Sequence, residues 1–437
     1  MSDPTVRSWG RFPRADQASV WQRWRFDEVP LIPEGQTLLP HGLGRSYGDS
    51  CLNDGNAVLR TRLLRHFISF DPQTGVLRAE SGVSLSEIID LCLPLGWFLP
   101  VTPGTRFVTL GGAIANDVHG KNHHRAGTFG HAVRGFELVR SDGSRRWCSP
   151  EENPEWFRAT VGGLGLTGLI TWAEVQMHPA LNGMISMESI RYDSLDEFLQ
   201  LSLDSERDFD YVVAWVDCLA GGRSAGRGIL MRGNHSQSGP AGFVPQGTGM
   251  LRCPVDFPDF AINHLTVGAF NTVYYGKHGA GRKQTEVSIY PFFYPLDAVD
   301  QWNRIYGPRG FVQWQCLVPV EHGVEPFREI LDRISKQGSA SFLAVMKLMG
   351  DAPNAGNLSF NGRGFTLALD FPASPVVFGL LDQLDDLVLA AGGTLYAAKD
   401  ARMKPETYQT MYPLWREHQR WIDPQFSSSF WRRVTRS

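Results

Sequence analysis

His41-Gly42-Leu43-Gly44-Arg45-Ser46-Tyr47-Gly48-Asp49 is one of two stretches that decide the reading of this chain; the other is Pro103-Gly104-Thr105-Arg106-Phe107-Val108-Thr109-Leu110-Gly111-Gly112-Ala113-Ile114-Ala115-Asn116-Asp117-Val118-His119-Gly120-Lys121-Asn122-His123-His124-Arg125-Ala126-Gly127-Thr128-Phe129-Gly130. Glycine admits positive φ and lets backbone approach a ligand closely. Successive N–H groups in such a turn form an anion nest, and Arg45 and Ser46 supply charge-assisted donors for a phosphate oxygen. Alone, the first stretch fits a tight surface turn equally well. In the second, Gly111-Gly112-Ala113 before Ile114-Ala115-Asn116 reads as a helix N-terminus open to a phosphate or carbonyl oxygen. Pro103-Gly104-Thr105 is a turn and Thr109 a further donor; the competing reading is a glycine C-cap. Together the two stretches predict two backbone cradles closing on one long phosphorylated ligand.

The chain has 437 residues. At about 150 residues per domain this predicts two or three domains. Apolar residues make up 42%, enough for a sizeable core. A net charge of −3 gives no support for nucleic acid as a partner. The six cysteines form no C-x-x-C pair, and a chain this long does not need disulfides, so free thiols in a reducing compartment are expected. Met1 to Trp24 carries no apolar signal region, and no run approaches the length of a transmembrane helix. The expected location is cytoplasmic, with peripheral contact at the inner face of the plasma membrane left open.

Apolar periodicity divides the chain. Short strands are predicted at 57–60, 66–70 and 76–80, with Asp71 to Gly75 as a turn. Ser84 and Glu87 make a capping box for a helix that Gly96 ends near Leu95, with Leu85, Ile88, Ile89 and Cys92 on its apolar face. A strand follows at 97–101. Ser141-Asp142-Gly143 marks a hairpin between 133–139 and 145–148. A helix is expected at 153–160 and a strand at 169–177. Beyond a change near 180–195, helices at 194–203, 295–306, 326–336 and 377–391 alternate with strands at 211–216, 311–318, 342–348, 365–371 and 394–398. That pattern predicts an α+β unit with a sheet covered on one face. Residues 233–264 read as a long irregular segment, the kind that often forms a lid. The expected organisation is 1–185, 186–398, and a C-terminal segment, 399–437, packing back on the first unit.

Individual residues carry chemistry with different force. His119 and His123 stand at the spacing of a helical zinc pair, but Gly120 lies between them and no glutamate base accompanies them. No metal is expected; a histidine facing a cofactor is the favoured reading, with a satisfied structural role the alternative for His123 and His124. Gly163-Leu164-Gly165-Leu166-Thr167-Gly168 matches G-x-G-x-x-G, yet the sequence after it alternates like a strand, so nicotinamide binding is rejected here. Its glycines would let backbone pass close to a cofactor. Lys399, after the strand at 394–398, points either into a cleft or to solvent. Gln313, Gln315 and Lys347 sit inside apolar strands and either line a cleft or face solvent.

These residues resemble flavoproteins of the vanillyl-alcohol-oxidase type, and within that superfamily the decaprenylphosphoryl-β-D-ribose 2-oxidase branch. The resemblance runs from Ser8-Trp9-Gly10-Arg11 to the C-terminal segment. It rests on Gly42 to Asp49, Pro103 to Gly130, and Tyr396-Ala397-Ala398-Lys399-Asp400-Ala401-Arg402. It implies a two-part N-terminal FAD-binding domain followed by an α+β substrate domain with an antiparallel sheet. It places Gly42, Leu43, Gly44, Arg45, Ser46, Tyr47, Gly104, Thr105, Thr109, Gly111, Gly112 and Ala113 around the pyrophosphate, with Asn116, Asn122, Gly165 and Gly168 completing the cofactor set. His119 would sit beside the isoalloxazine and Lys399 over the ring, near the substrate. Gln313, Gln315, Lys347, Phe293 and Ala368 would line the substrate cavity. Ala368 stands where the family carries a cysteine, and Phe293 where it carries a tyrosine.

The resemblance further implies dissociable, non-covalent FAD and oxidation of a secondary sugar hydroxyl to a ketone. The expected position is C2 of a polyprenyl-phosphoryl ribose. A partner short-chain reductase would complete the 2-epimerisation to arabinose. Lys399 and His119 are both candidates for handling the hydroxyl proton. A soluble aldonolactone or alditol oxidase of the same superfamily, and a flavin-bound but non-catalytic partner subunit, are the rival readings.

Overall fold

Backbone pairing follows the apolar runs. The computed structural model describes residues 6–245, 247, 251–279, 281–338, 341 and 343–436. A three-stranded parallel sheet joins Ala18–Trp21, Ala57–Arg60 and Leu38–His41. An antiparallel sheet of five strands follows, in the order Phe67–Asp71, Val76–Glu80, Leu169–Gln176, Val133–Val139 and Arg145–Cys148. The second half builds an antiparallel sheet of eight strands. Their order is Arg282–Ser288, Met184–Tyr192, Gly228–His235, Tyr211–Val216, Ala344–Met349, Gly364–Pro372, Phe311–Pro319 and Thr394–Leu395. This is the α+β architecture, with an antiparallel second sheet, that the sequence predicts.

Local chemistry explains the elements. Helix Leu85–Cys92 begins with the predicted capping box: Glu87 N–H donates to Ser84 Oγ, and Ser84 N–H donates back to the Glu87 carboxylate at 2.7 Å. Its buried face is Leu85, Ile88, Ile89 and Cys92, and Gly96 takes φ 85° where the following turn ends. Helix Glu325–Gln337 buries Phe327, Ile330, Leu331 and Ile334 and stops at Gly338, with φ 70°. Helix Pro375–Ala390 starts from Ser374, whose side chain accepts from Val377 N–H. These two helices and Leu195–Ser205 share one apolar core with the eight-stranded sheet.

Period-two alternation then decides what the other face carries. Val312, Trp314, Cys316 and Val318 enter that core, as do Met346, Leu348, Leu367 and Leu369. Gln313, Gln315, Val345, Lys347, Thr366 and Ala368 therefore face away from the helices, and they line a cavity. Register aligns them: Gln315 lies opposite Ala368, Ala368 opposite Val345, Lys347 opposite Thr366, and Gln313 opposite Asp370.

Several expected elements are different. The helix expected at 295–306 is two 3-10 turns, Pro295–Ala298 and Trp302–Tyr306, split by a short strand, Val299–Asp300. Gln301 at φ 55° breaks the run, and Leu251–Arg252 pairs with the strand. The strand expected at 394–398 stops at Leu395, because Lys399 N–H turns back to Tyr396 O at 3.0 Å. The strand at 97–101 shrinks to Trp97–Phe98. The segment expected to be irregular at 233–264 begins inside strand Gly228–His235 and leads into an unforeseen helix, His264–Lys277. Phe342, expected to open a strand, lies outside the described residues, as do 246 and 248–250; that strand runs Ala344–Met349.

The C-terminal segment crosses both halves. Helix Pro405–Met411 packs near Pro375–Ala390, while Phe426 bridges to Leu38 and Ser429 N–H donates to Leu52 O at 2.7 Å.

Candidate active site

The cavity measures about 520 Å³ and lies between the glycine stretches and the bare face of the eight-stranded sheet. Its first wall is the loop 42–51. Trp9 N–H and Gly10 N–H donate to Ser46 O and Tyr47 O, at 2.8 and 3.2 Å, and fix that loop from outside. Gly44 sits at φ 62°, and a Cβ at Gly42 would collide with the Thr109 side chain. The two glycine stretches thus touch, as two convergent cradles require. Thr109 caps helix Leu110–Ala115 by accepting from Gly112 N–H at 3.2 Å, which leaves its own hydroxyl proton free to donate.

Among the described residues, several polar atoms on this wall have no protein partner. Arg45 Nε, Ser50 Oγ and Ser81 Oγ are buried without a hydrogen-bond partner, and all three residues line the cavity. An unpaired buried donor costs about 1–3 kcal/mol, so the wall is built for a polar occupant. The Arg45 guanidinium is held 4.0 Å from the Trp9 ring centroid. An FAD pyrophosphate fits this donor set: positive, glycine-lined and hydroxyl-rich. Leu43, Ser46, Tyr47, Gly104, Thr105, Gly111, Gly112, Asn116, Gly165 and Gly168 also line the cavity. Ala113 and Asn122 do not. Ala113 is fully buried in the apolar core, and Asn122 Nδ2 donates to Pro100 O at 2.8 Å. The G-x-G-x-x-G stretch is followed by strand Leu169–Gln176, which removes it from nicotinamide binding.

The far wall carries the titratable groups. His119 stands with both ring nitrogens engaged: Nδ1 faces Lys347 Nζ at 2.8 Å and Nε2 faces Gln315 Nε2 at 2.9 Å. Gln315 also donates to Thr366 Oγ1 at 2.9 Å, and Lys347 donates to Gly120 O. Burial first, and then the neighbouring Lys347 and Lys399 amines whenever they are charged, hold the His119 imidazole well below its ordinary pKa, so it is neutral. Burial also pulls the Lys347 ammonium well down, with Lys399 and Lys121 adding repulsion. A neutral Lys347 amine satisfies the network: it accepts from His119 Nδ1–H while His119 Nε2 accepts from Gln315. His123 and His124 serve structure. Gly350 N–H donates to His123 Nδ1 at 3.1 Å, and His124 Nε2 meets Phe209 O at 2.8 Å.

Lys399 is the half-buried cation at the junction of the two walls. Its Nζ lies 5.4 Å from the Tyr47 ring centroid and 6.0 Å from that of Tyr396. Burial lowers its pKa to about 8, against the opposing pull of Asp370. Asp370 is fully buried; burial raises its pKa to about 7, while Gln313 Nε2, donating at 2.5 Å, and Lys399 restrain the rise. The two titrate as a pair. Lys121, also at the cavity, is brought to about 8 by burial. Phe293 and Ala368 line the same space.

Sequence reasoning passed over Asp370, Thr366 and Lys121, and took Tyr396 only as part of a motif. Asp370 and Thr366 share strand Gly364–Pro372 with Ala368 at period two, and that alternation was the available signal. Tyr396 OH donates to Asn116 O at 2.8 Å, tying the Lys399 turn to the second cradle.

Residues 33–149 match the FAD binding domain family. Over 417 residues the chain is 38% identical to decaprenylphosphoryl-beta-D-ribose oxidase of Mycolicibacterium smegmatis, covering 92% of this chain and 89% of that protein. It is 33% identical over 370 residues to an uncharacterized protein of Streptomyces coelicolor, covering 80% of this chain and all of that one (100%). A shorter match, 32% over 117 residues, is to the human Delta(24)-sterol reductase and covers 27% of this chain and 23% of the reductase.

Proposed function

The chain belongs to the decaprenylphosphoryl-beta-D-ribose oxidase family and is an FAD-dependent oxidoreductase, and from that premise we propose that it oxidises C2–OH of a polyprenyl-phosphoryl ribose to the ketone. The observation that carries the reading is Lys399, a cation of lowered pKa facing the cavity where the glycine cradle meets the sheet. FAD, when bound there, would supply the two-electron sink for the hydride of the carbinol carbon.

The side chains divide the remaining work. Lys399, as the neutral amine, takes the hydroxyl proton. At pH 7.5 a pKa of about 8 leaves roughly a quarter of it neutral, against about 0.1% for an ordinary lysine. His119 does not compete for that proton, because Lys347 and Gln315 occupy both of its nitrogens; it orients the wall. Gly42 to Tyr47, Gly104, Thr105, Thr109, Gly111 and Gly112 hold the cofactor, which stays dissociable. His119 has no free nitrogen for a tether, and burial pushes the Cys51 thiol up to about 12. Gln313, Gln315, Lys347, Phe293 and Ala368 shape the sugar site.

The substrate's lipid suits the cavity's rim. Helix His264–Lys277 lends Phe270 and Tyr274 to the cavity and turns Leu265 and Val273 outward, 71% and 70% exposed. Leu251, Val255, Phe257 and Phe260 are exposed just before it. Among the described residues no helix is long and apolar enough to cross a membrane. The exposed apolar side chains, with Arg252, Lys277 and Arg282 among them, make a surface for the face of an anionic bilayer. A short-chain reductase would then reduce the ketone from the opposite face, completing the epimerisation to arabinose.

Anaerobic mixing with polyprenyl-phosphoryl ribose tests the reaction. Bleaching of the flavin bands with formation of the 2-keto product is expected. Bleaching by water-soluble alditols but not by the lipid-linked sugar would overturn the substrate reading, and no bleaching by any sugar would overturn the catalytic one. Vesicle co-sedimentation tests the rim: a Phe260→Glu, Leu265→Glu variant that still pellets with phosphatidylglycerol vesicles would remove it.

A further inference from the structure

We infer that Arg433, in the C-terminal helix Ser429–Val434, is a positioning residue that fixes Lys399 against Tyr47 across the cavity. The inference rests on the role proposed for Lys399. Two chain segments meet at this arginine. Its Nε and Nη2 donate to the Asp49 carboxylate at 2.9 and 2.7 Å, and Nη2 also donates to Asp400 Oδ2 at 2.8 Å. Nη1 donates to Met403 O at 2.6 Å. Asp49 is two residues beyond Tyr47, in the first cradle; Asp400 follows Lys399 directly. Both carboxylates are buried.

The two loops are in backbone contact at this point: a Cβ on Gly48 would overlap the Asp400 carbonyl. Arg433 is the side chain that bonds both carboxylates; Asp400 also feels the neighbouring Arg402 charge. Asp400 receives Arg402 N–H and Met403 N–H at 3.2 and 2.9 Å, while the Arg402 guanidinium goes to Asp382 and Asp385. Without Arg433, two buried carboxylates would face each other, and relief would come from parting the loops or admitting water. Either response moves Lys399 from its place near Tyr47 and hydrates it. The groups around Lys399 are Asp370, Lys347, neutral His119, and the Tyr47 and Tyr396 rings; none of them is on the C-terminal helix. Arg433 thus acts on Lys399 through geometry, not through its own field at the ammonium.

The test compares Arg433→Gln, Arg433→Lys and a control, Arg232→Gln. The control breaks the buried Arg232–Glu188 pair, 2.6 Å, in the large sheet; neither residue lines the cavity. Two readouts are taken on the full-length, FAD-loaded protein. One is the pH midpoint for acetic-anhydride labelling of Lys399 without substrate, followed by mass spectrometry. The other is the rate of flavin reduction, measured with and without Lys399→Met in the background. Arg433→Gln is expected to raise the labelling midpoint by one pH unit or more and to slow reduction on the order of 10-fold. It should add nothing once Lys399 is methionine. Arg433→Lys should recover part of both effects, and Arg232→Gln, even with an equal fall in Tm, should move neither. An unchanged midpoint, equal slowing in the Lys399→Met background, or the same changes from Arg232→Gln would overturn the inference. Should Arg433→Gln not fold, Arg433→Lys carries the test: a raised midpoint supports the inference and a wild-type midpoint overturns it. If Lys399→Met alone reduced at the wild-type rate, the proton-acceptor role would fall while the labelling midpoint still decided the positioning role.

Discussion

Replacing Asp370 with asparagine should move the pH dependence of flavin reduction toward acid. If Lys399 must be neutral to take the hydroxyl proton, the reductive rate rises with pH through the titration of the Lys399–Asp370 pair. The lysine's share of that titration lies at about 8. Asp370 favours the ammonium; removing its charge leaves burial unopposed, so the amine form gains ground. A neighbouring opposite charge moves a pKa by about 1–3. The midpoint of the Asp370→Asn profile should therefore fall by about one pH unit or more, with a larger neutral fraction at pH 7. Asparagine keeps a carbonyl for Gln313 Nε2, so the wall should hold its shape. The assay is single-turnover stopped-flow at the flavin absorbance, under anaerobic conditions and saturating substrate, from pH 6 to 10. Lys399→Arg, which cannot deprotonate in this range, should lose on the order of 10²–10⁴-fold. A midpoint that stays put or rises in Asp370→Asn, or a Lys399→Arg enzyme reducing at the wild-type rate, would refute the reasoning.

Other expectations follow from single atoms. Gly42→Ala places a methyl in the Thr109 side chain; the helix cap there is worth about 1 kcal/mol, and FAD titration by fluorescence quenching should show at least tenfold weaker binding. Ala368→Cys puts a thiol on the cavity wall opposite Gln315. It should accept a maleimide at that position and lose substrate-driven reduction on labelling, whereas wild type, with the Cys51 thiol pushed up to about 12 and the Cys316 thiol also pushed up by burial, should keep its rate. Acid precipitation of the purified protein should release flavin absorbance to the supernatant; absorbance left in the pellet would contradict a dissociable cofactor.

Local signals carried most of what the sequence made legible. The capping box of Ser84 and Glu87, the Ser141-Asp142-Gly143 hairpin and the paired glycine stretches each declare themselves within a few residues. The failures come from tertiary context. Residues 295–306 hold helix-forming residues, but Gln301 takes a left-handed conformation and the strand Val299–Asp300 pairs with Leu251–Arg252. Helix His264–Lys277 buries only Val267, Asn271 and Tyr275 and leaves large apolar side chains in the open, so it has no single apolar stripe to read. In the site, Lys399 was legible as a candidate. Its partner Asp370 was not, because their coupling joins a central strand to a turn after an edge strand. The tie from Arg433 to Asp49 spans most of the chain, that to Asp400 spans 33 residues, and neither leaves a local trace.

The central claim is that this cavity holds FAD and passes to it two electrons from a lipid-linked ribose. Anaerobic titration of the purified, FAD-loaded protein with polyprenyl-phosphoryl ribose addresses it directly, with free ribose and the matching arabinoside alongside. Stoichiometric bleaching by the ribose lipid alone, with one 2-keto product per flavin, is the predicted result. Flavin that stays oxidised with the ribose lipid, or is reduced equally by free ribose, would contradict it.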